Sequence, residues 1–198
     1  MNKQVWIEKA LGLGIQEFEI YQSTTVEKEM TWFQGQMDTL VSSKVTGTSI
    51  RGIVDGKMAN MALEEIDDSM CETVLKSLIA QAHIISNEET DSLRKPEPIE
   101  YVKKDVTWNM ASTEYVKNIL QSLEAKILAY GPRVIQVGYL GYSQGSGSRS
   151  IVNSLGMDVQ DADEMQYIVA SVVVKEEEEV KDASLVEVVY DFEQYDLD

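Results

Sequence analysis

The 198-residue chain holds one histidine, His83, and one cysteine, Cys71. A thiol or hydroxyl nucleophile needs a base within hydrogen-bond reach, and His83 is the sole imidazole on offer. Cys71 lies twelve residues before it on one predicted helix, and at ~1.5 Å per residue that separates them by about 18 Å. The two cannot meet within one chain. A thermolysin-like zinc site needs two histidines one helical turn apart with a glutamate base, and that pattern is missing. His83, followed by Ile84 and Ile85, reads as a structural residue at a helix end. Cys71 reads as a small buried apolar residue. One cysteine allows no intrachain disulfide and suits a reducing compartment.

The remaining candidates carry little chemistry. Glu64-Glu65, Asp67-Asp68, Glu88-Glu89 and Asp161 with Asp163 are carboxylate pairs, but 34 acidic residues produce such pairs by chance. Asp158-x-x-Asp161-x-Asp163-Glu164 lacks the glycine and closing glutamate of an EF-hand loop and reads as a solvated strand edge. Gly145-Ser146-Gly147 has no GxxxxGK pattern and reads as a hairpin turn. No catalytic residue and no metal ligand is therefore assigned, no cofactor is expected in this chain, and the peptide-binding residues are unknown at this level.

Charge narrows the partners. A net charge of -17 repels phosphate backbones and anionic lipid, so neither nucleic acid nor membrane is an expected partner. Solubility, or attraction to a basic partner or peptide, is the better use of it. Glu8 and Lys9 interrupt any N-terminal apolar region, so no signal peptide is read. No apolar run approaches the ~20 residues of a membrane span. The expected location is the cytoplasm.

The elements that would position these residues fall into two similar series. Asn2 can cap a helix over 3–13 with Val5, Trp6, Ala10 and Leu13 near one face. From Glu17 the apolar period becomes two, with turns expected at Gln34-Gly35 and at Asp55-Gly56, a strong type I′ signal. About four antiparallel strands result, ending at Leu63. A helix from Asp67 or Asp68 to about Ile85 carries Met70, Val74, Leu78 and Ala82. Pro96-Glu97-Pro98 marks an extended connector. Ser112 or Thr113 caps a helix with Val116, Ile119, Leu120, Leu123 and Ile127, stopped by Gly131-Pro132. Strands follow over 134–142, 149–153, 157–175 and 183–192. Glu176 to Glu179 must sit in an exposed loop, since four like charges repel within a strand.

The order of these stretches carries a resemblance. Glu17 to Tyr21, Gln34 to Asp38, Gly47 to Val54 and the hairpin Asp55 to Ala62 resemble the opening of TldD/PmbA ("modulator of DNA gyrase") proteins. Asn153, Ser154 and Gly156 stand where that family has "NS.G". The closing VYDFEQYDLD resembles the segment before the family's next helix. The resemblance is nearer the PmbA (TldE) side. It implies a peptidase family in which TldD-type members bear an HExxxH zinc motif beyond the length of this chain, and PmbA-type members lack it and pair with a TldD-type subunit. Zinc is accordingly expected in a TldD-type partner. Glu176 to Glu179 departs from the family, which has a glycine-rich turn there.

The combined expectation is an α+β fold of two small units, each a helix packed with antiparallel strands: residues 1–87, a proline-containing linker over 88–108, and 109–198, cut short at its C-terminal end. The expected role is the non-catalytic N-terminal portion of a TldD/PmbA-like protein, serving subunit pairing in a homo- or hetero-oligomer, or guidance of a peptide substrate in proteolysis or peptide maturation. The alternative is a stand-alone interaction scaffold unrelated to proteolysis.

Overall fold

The computed structural model describes residues 1–86, 90–98 and 108–195. The Glu88-Glu89 pair and most of the expected 88–108 connector lie outside the described residues. Helix α1 spans Lys3–Gly12, α2 spans Cys71–His83 and α3 spans Thr113–Ala129. Strands β1 (Glu17–Phe33), β2 (Gln36–Val54), β3 (Lys57–Leu63), β4 (Val134–Asn153), β5 (Asp158–Glu176) and β6 (Glu179–Val188) form one antiparallel sheet in the order β3-β2-β1-β4-β5-β6. The α+β expectation holds.

The helices start where the sequence places caps. The Asn2 side chain accepts from Val5 N, and the Ser112 side chain accepts from Tyr115 N, each satisfying an orphan donor of the first turn. Asp67 caps a short 3-10 turn, Asp68–Met70, which leads into α2. The buried face of α1 is Trp6, Ile7 and Ala10, while Val5 and Leu13 are half exposed. In α2 the buried set is Cys71, Val74, Leu75, Leu78 and Ala82, with Met70 outside it.

Strand lengths differ from the expectation. Residues 36–54 are one strand, so three strands, not four, precede α2. Gly145-Ser146-Gly147 is no turn: it lies inside β4, with Gly145 alongside the Val26 carbonyl of β1. Backbone pairing to a neighbouring strand outweighs the local preference of glycine for turns. The true turns are Gln34-Gly35 and Asp55-Gly56, both with positive φ at both residues, as a type I′ hairpin requires. The acidic run sits at the β5–β6 turn, where Glu176 pairs with Glu179 and Glu177 takes φ 54.

The described residues pack into two compact units. One comprises 1–25, 45–102 and 147–162; the other comprises 26–44, 103–146 and 163–198. This differs from a linear division at 88–108, because β1, β2, β4 and β5 are long enough to contribute one part to each unit. In the first unit, α1 and α2 cover Ile15, Phe18, Ile20, Ile50 and Val54. In the second, α3 covers Met30, Trp32, Val137, Leu140, Tyr142 and Ile168, with Val189 and Phe192 completing the core.

Candidate functional site: a strand edge and its groove

Strand β6 ends the sheet, and every one of its residues is exposed. Leu185 is 66% and Val186 60% exposed, a large apolar display for a strand. Its ladder with β5 is unbroken over ten pairs, from Tyr167↔Val188 to Glu176↔Glu179. A two-residue turn closes on a hydrogen-bonded pair, and such pairs alternate along an antiparallel ladder. Odd-numbered residues of β6 therefore bond inward to β5. The N–H and C=O groups of Val180, Asp182, Ser184, Val186 and Val188 point outward. The next outward carbonyl, that of Tyr190, accepts from Asn109 N at 2.9 Å, which closes the edge at that point and leaves 180–188 open among the described residues.

Beside this edge lies a groove of ≈ 330 Å³ between α3, β5 and β6. Leu123 and Ile127 of α3, Ile168, Ala170 and Val172 of β5, and Leu185 of β6 form its apolar walls. Tyr195 closes one end and donates from its hydroxyl to Glu187 Oε2 at 2.9 Å. Burial first, and that carboxylate second, push the Tyr195 hydroxyl up to about 12. An open backbone edge next to an apolar groove can take an extended segment, with main-chain bonds giving affinity and the groove giving selectivity.

The other two edges are less suited. At β3, Asp91 N donates to Gly56 O at 2.9 Å and Met58 N donates to Asp91 Oδ2 at 3.0 Å, covering the start of the strand. At β2, residues 36–47 have no outer partner in the β3 register, which begins at Thr48. The Gln34-Gly35 turn joins Phe33 to Gln36, yet Thr24 meets Thr46 and Gln22 meets Thr48. One extra residue of β2 must bulge between those points, and a bulge spoils an edge for pairing.

The residues weighed for chemistry are dispersed. Cys71 is buried at the start of α2, and its thiol is pushed up by burial. His83 is exposed at the other end of α2, with Nε2 3.6 Å from Asp55 Oδ2. Asp68 Oδ1 accepts from Asn2 N at 2.8 Å and Trp6 Nε1 at 2.9 Å, and these bonds hold its carboxyl below the usual range. Asp67 is lowered likewise by its bonds to Ser69. Asp158 and Glu164 lie on the opposite face of β5 from Asp161 and Asp163 by strand alternation. Among the described residues no three His, Cys, Asp or Glu side chains gather as a metal site. No described helix is long and apolar enough to cross a membrane.

The Asn153-Ser154-x-Gly156 motif is a structural lock. Asn153 Oδ1 accepts from Leu155 N and Met157 N, both at 3.0 Å, while Nδ2 donates to Arg94 O at 2.9 Å and Glu19 Oε2 at 3.2 Å. Ser154 Oγ accepts from Phe18 N at 2.9 Å. Gly156 turns the chain at φ +95. Glu19, 3% exposed, is neutralised by Arg51 at 2.7 Å. Two further buried polar residues escaped sequence reasoning. Glu124 Oε2 accepts from Trp32 Nε1 at 2.8 Å and Gly35 N at 2.9 Å. Gln166 donates to Asn109 O at 2.8 Å and bonds the Tyr142 hydroxyl at 2.8 Å. Glu124 carried a signal: it stands in phase with Val116 and Leu120, on the apolar stripe.

Comparison with known proteins adds to this geometry. Two family models match: PmbA/TldA metallopeptidase domain 1 over residues 18–85, and the PmbA/TldA metallopeptidase central domain over residues 107–197. No curated protein matches the sequence. Three similar solved structures are a protein named as a modulator of a DNA gyrase from Thermotoga maritima (16% identity, TM-score 0.82), TldE from Thermococcus kodakarensis (17%, 0.81) and a protein named as a modulator of DNA gyrase from Bacteroides thetaiotaomicron (18%, 0.81). They cover 98%, 96% and 96% of this chain but 44%, 43% and 45% of their own. The chain thus spans under half the length of these relatives.

Proposed function

Since the chain belongs to the PmbA/TldD family, we propose that it is a non-catalytic, strand-docking portion of a peptidase-family assembly, acting in subunit pairing or in guidance of an extended peptide. The observation that supports this is the open 180–188 edge of β6 beside an apolar groove, within the stretch that matches the family's central domain. The chemistry of peptide cleavage belongs elsewhere in this reading, with zinc held by a TldD-type subunit. One of the similar structures is a TldE, which favours the PmbA/TldE side of the family for this chain. The acidic charge favours a protein or peptide partner over DNA, and the single cysteine suits a reducing compartment such as the cytoplasm.

Hydrogen exchange at the Val180, Asp182, Ser184, Val186 and Val188 amides tests the reading. Addition of excess TldD-type subunit, or of an unstructured peptide, is expected to slow exchange there at least tenfold. Unchanged exchange at those amides, at any protein concentration and with either addition, would overturn the docking role and leave a scaffold that works through another surface.

A further inference from the structure

We infer that a second copy of this chain docks on β6, edge to edge and antiparallel, about a two-fold axis through Ser184. The inference rests on the docking reading above and names the partner.

Backbone parity comes first. Val180, Asp182, Ser184, Val186 and Val188 direct their main-chain groups outward, as the register with β5 requires. A two-fold axis through Ser184 matches Ser184 with itself, Asp182 with Val186 and Val180 with Val188. All of these are outward-facing residues on both copies, so every hydrogen-bonded pair is made between groups that no described residue of the same chain occupies.

Side chains then select this axis from its neighbours. The non-hydrogen-bonded positions, where side chains stand closest, match Lys181 with Glu187 and Ala183 with Leu185, each twice. Lys181 and Glu187 are opposite charges. A shift to an axis at Asp182 sets Asp182 against itself. An axis at Ala183 sets Glu179 against Glu187. An axis at Leu185 or Val186 removes the Lys181–Glu187 match. Leu185, 66% exposed, is placed beside the partner's Ala183 on the groove side, and the Val180–Val188 pairs cover apolar surface on the other face. Antiparallel pairing also keeps the acidic tip, Glu176 to Glu179, at opposite ends of the two copies.

The present partners of the two charged groups do not stand in the way. Lys181 Nζ pairs with Glu179 Oε2 at 3.0 Å, both side chains about three-quarters exposed (75% and 77%), and an exposed pair of this kind exchanges at little cost. Glu187 uses Oε2 for Tyr195 and keeps Oε1 for a second donor. The opposing force is the net charge of -17 on each copy, which salt screens. Association therefore strengthens as salt rises.

The test uses the whole chain with Cys71→Ala as background. Ala183→Cys and Leu185→Cys chains, oxidised as a mixture, should form a disulfide between copies, and either alone should form far less. In sedimentation, Lys181→Glu should weaken the dimer about tenfold, and Lys181→Glu with Glu187→Lys should restore it. Three results overturn the proposal: a strict monomer at ~100 μM in high salt, a range that detects contacts of about -5.5 kcal/mol; a dimer indifferent to Lys181→Glu; or a monomer whose 180–188 amides are already protected, which means the edge is closed within the chain. A synthetic peptide of sequence 179–188 separates the two readings. Slowed exchange at β6 on adding it to a strict monomer leaves docking intact and removes the second copy. Unchanged exchange under every condition removes both.

Discussion

The two units solve the same packing problem with different completeness. In the first, two helices cover one sheet face, and Trp6, Phe18, Ile20, Leu75 and Leu78 are fully buried. Its start of β3 is covered by the segment at Asp91. In the second, one helix does the covering, and Val180, Leu185, Val186 and Val188 remain exposed along β6. A unit that leaves apolar residues on a regular, open edge forgoes burial worth about 25 cal/mol per Å², and risks aggregation. In the proposed function the second unit, with that exposure, is the one that meets partners, while the more completely packed first unit holds shape.

The largest effect expected on this contrast is in the first unit. Trp6→Ala empties a fully buried site and removes the donor to Asp68. It should cost about 3–5 kcal/mol in denaturant unfolding; a loss below ~1 kcal/mol would mean that this unit is no better packed than the other. Asn153→Ala comes next. It leaves the Leu155 and Met157 amides without their acceptor and should cost about 2–3 kcal/mol, read by thermal unfolding. In the second unit, Glu124→Leu strands the Trp32 indole N–H and should cost about 2 kcal/mol, while Glu124→Gln, which keeps an acceptor oxygen, should cost under ~1 kcal/mol.

Titration should divide the units by direction. Asp67 and Asp68 in the first unit have carboxyls lowered by their hydrogen bonds. Their contribution is present above the ordinary value of 3.8 and is lost as pH falls through the lower folded values. The Trp6 indole resonance should move in that acid window. Tyr142 and Tyr195 in the second unit are both pushed up to about 12, chiefly by burial. Their contribution is complete below the ordinary value of 10.0 and is lost as pH rises toward about 12. Tyrosinate absorbance should follow loss of the second unit's structure. Loosening of both units together at one end of the pH scale would erase the distinction. The smallest effect is the most pointed: Leu185→Ala at the exposed edge should change the stability of the monomer by less than ~0.5 kcal/mol while weakening self-association.

Much of the frame is legible in the sequence alone. Asp55-Gly56 announced its hairpin through the φ it tolerates, Asn2 and Ser112 announced their helices, and Glu176 to Glu179 announced an exposed turn by repulsion. What local reasoning misplaced depends on distant partners. Gly145-Ser146-Gly147 favours a turn by itself and becomes strand beside β1. Asp68 looked like half of a chance carboxylate pair and ties α1 to the entry of α2. The open edge was legible only as a kind of surface, since the residues that face outward are fixed by the register with β5.

The wiring of the long strands has a consequence for anyone who divides the gene. Each of β1, β2, β4 and β5 passes from one unit's residues to the other's, at 25/26, 44/45, 146/147 and 162/163. No single cut yields two pieces that each own a whole core. A split between α2 and α3 separates residues 26–44 from the helix that covers Met30 and Trp32. The first half keeps every buried residue of its own core, Trp6 to Ala82, so the second half is the one that should fail to fold alone and should regain structure when mixed with the first, and a reporter joined to each half would light up on reassembly. The same wiring that hides the boundary from a reader of the sequence should let the two halves serve as a split-protein sensor.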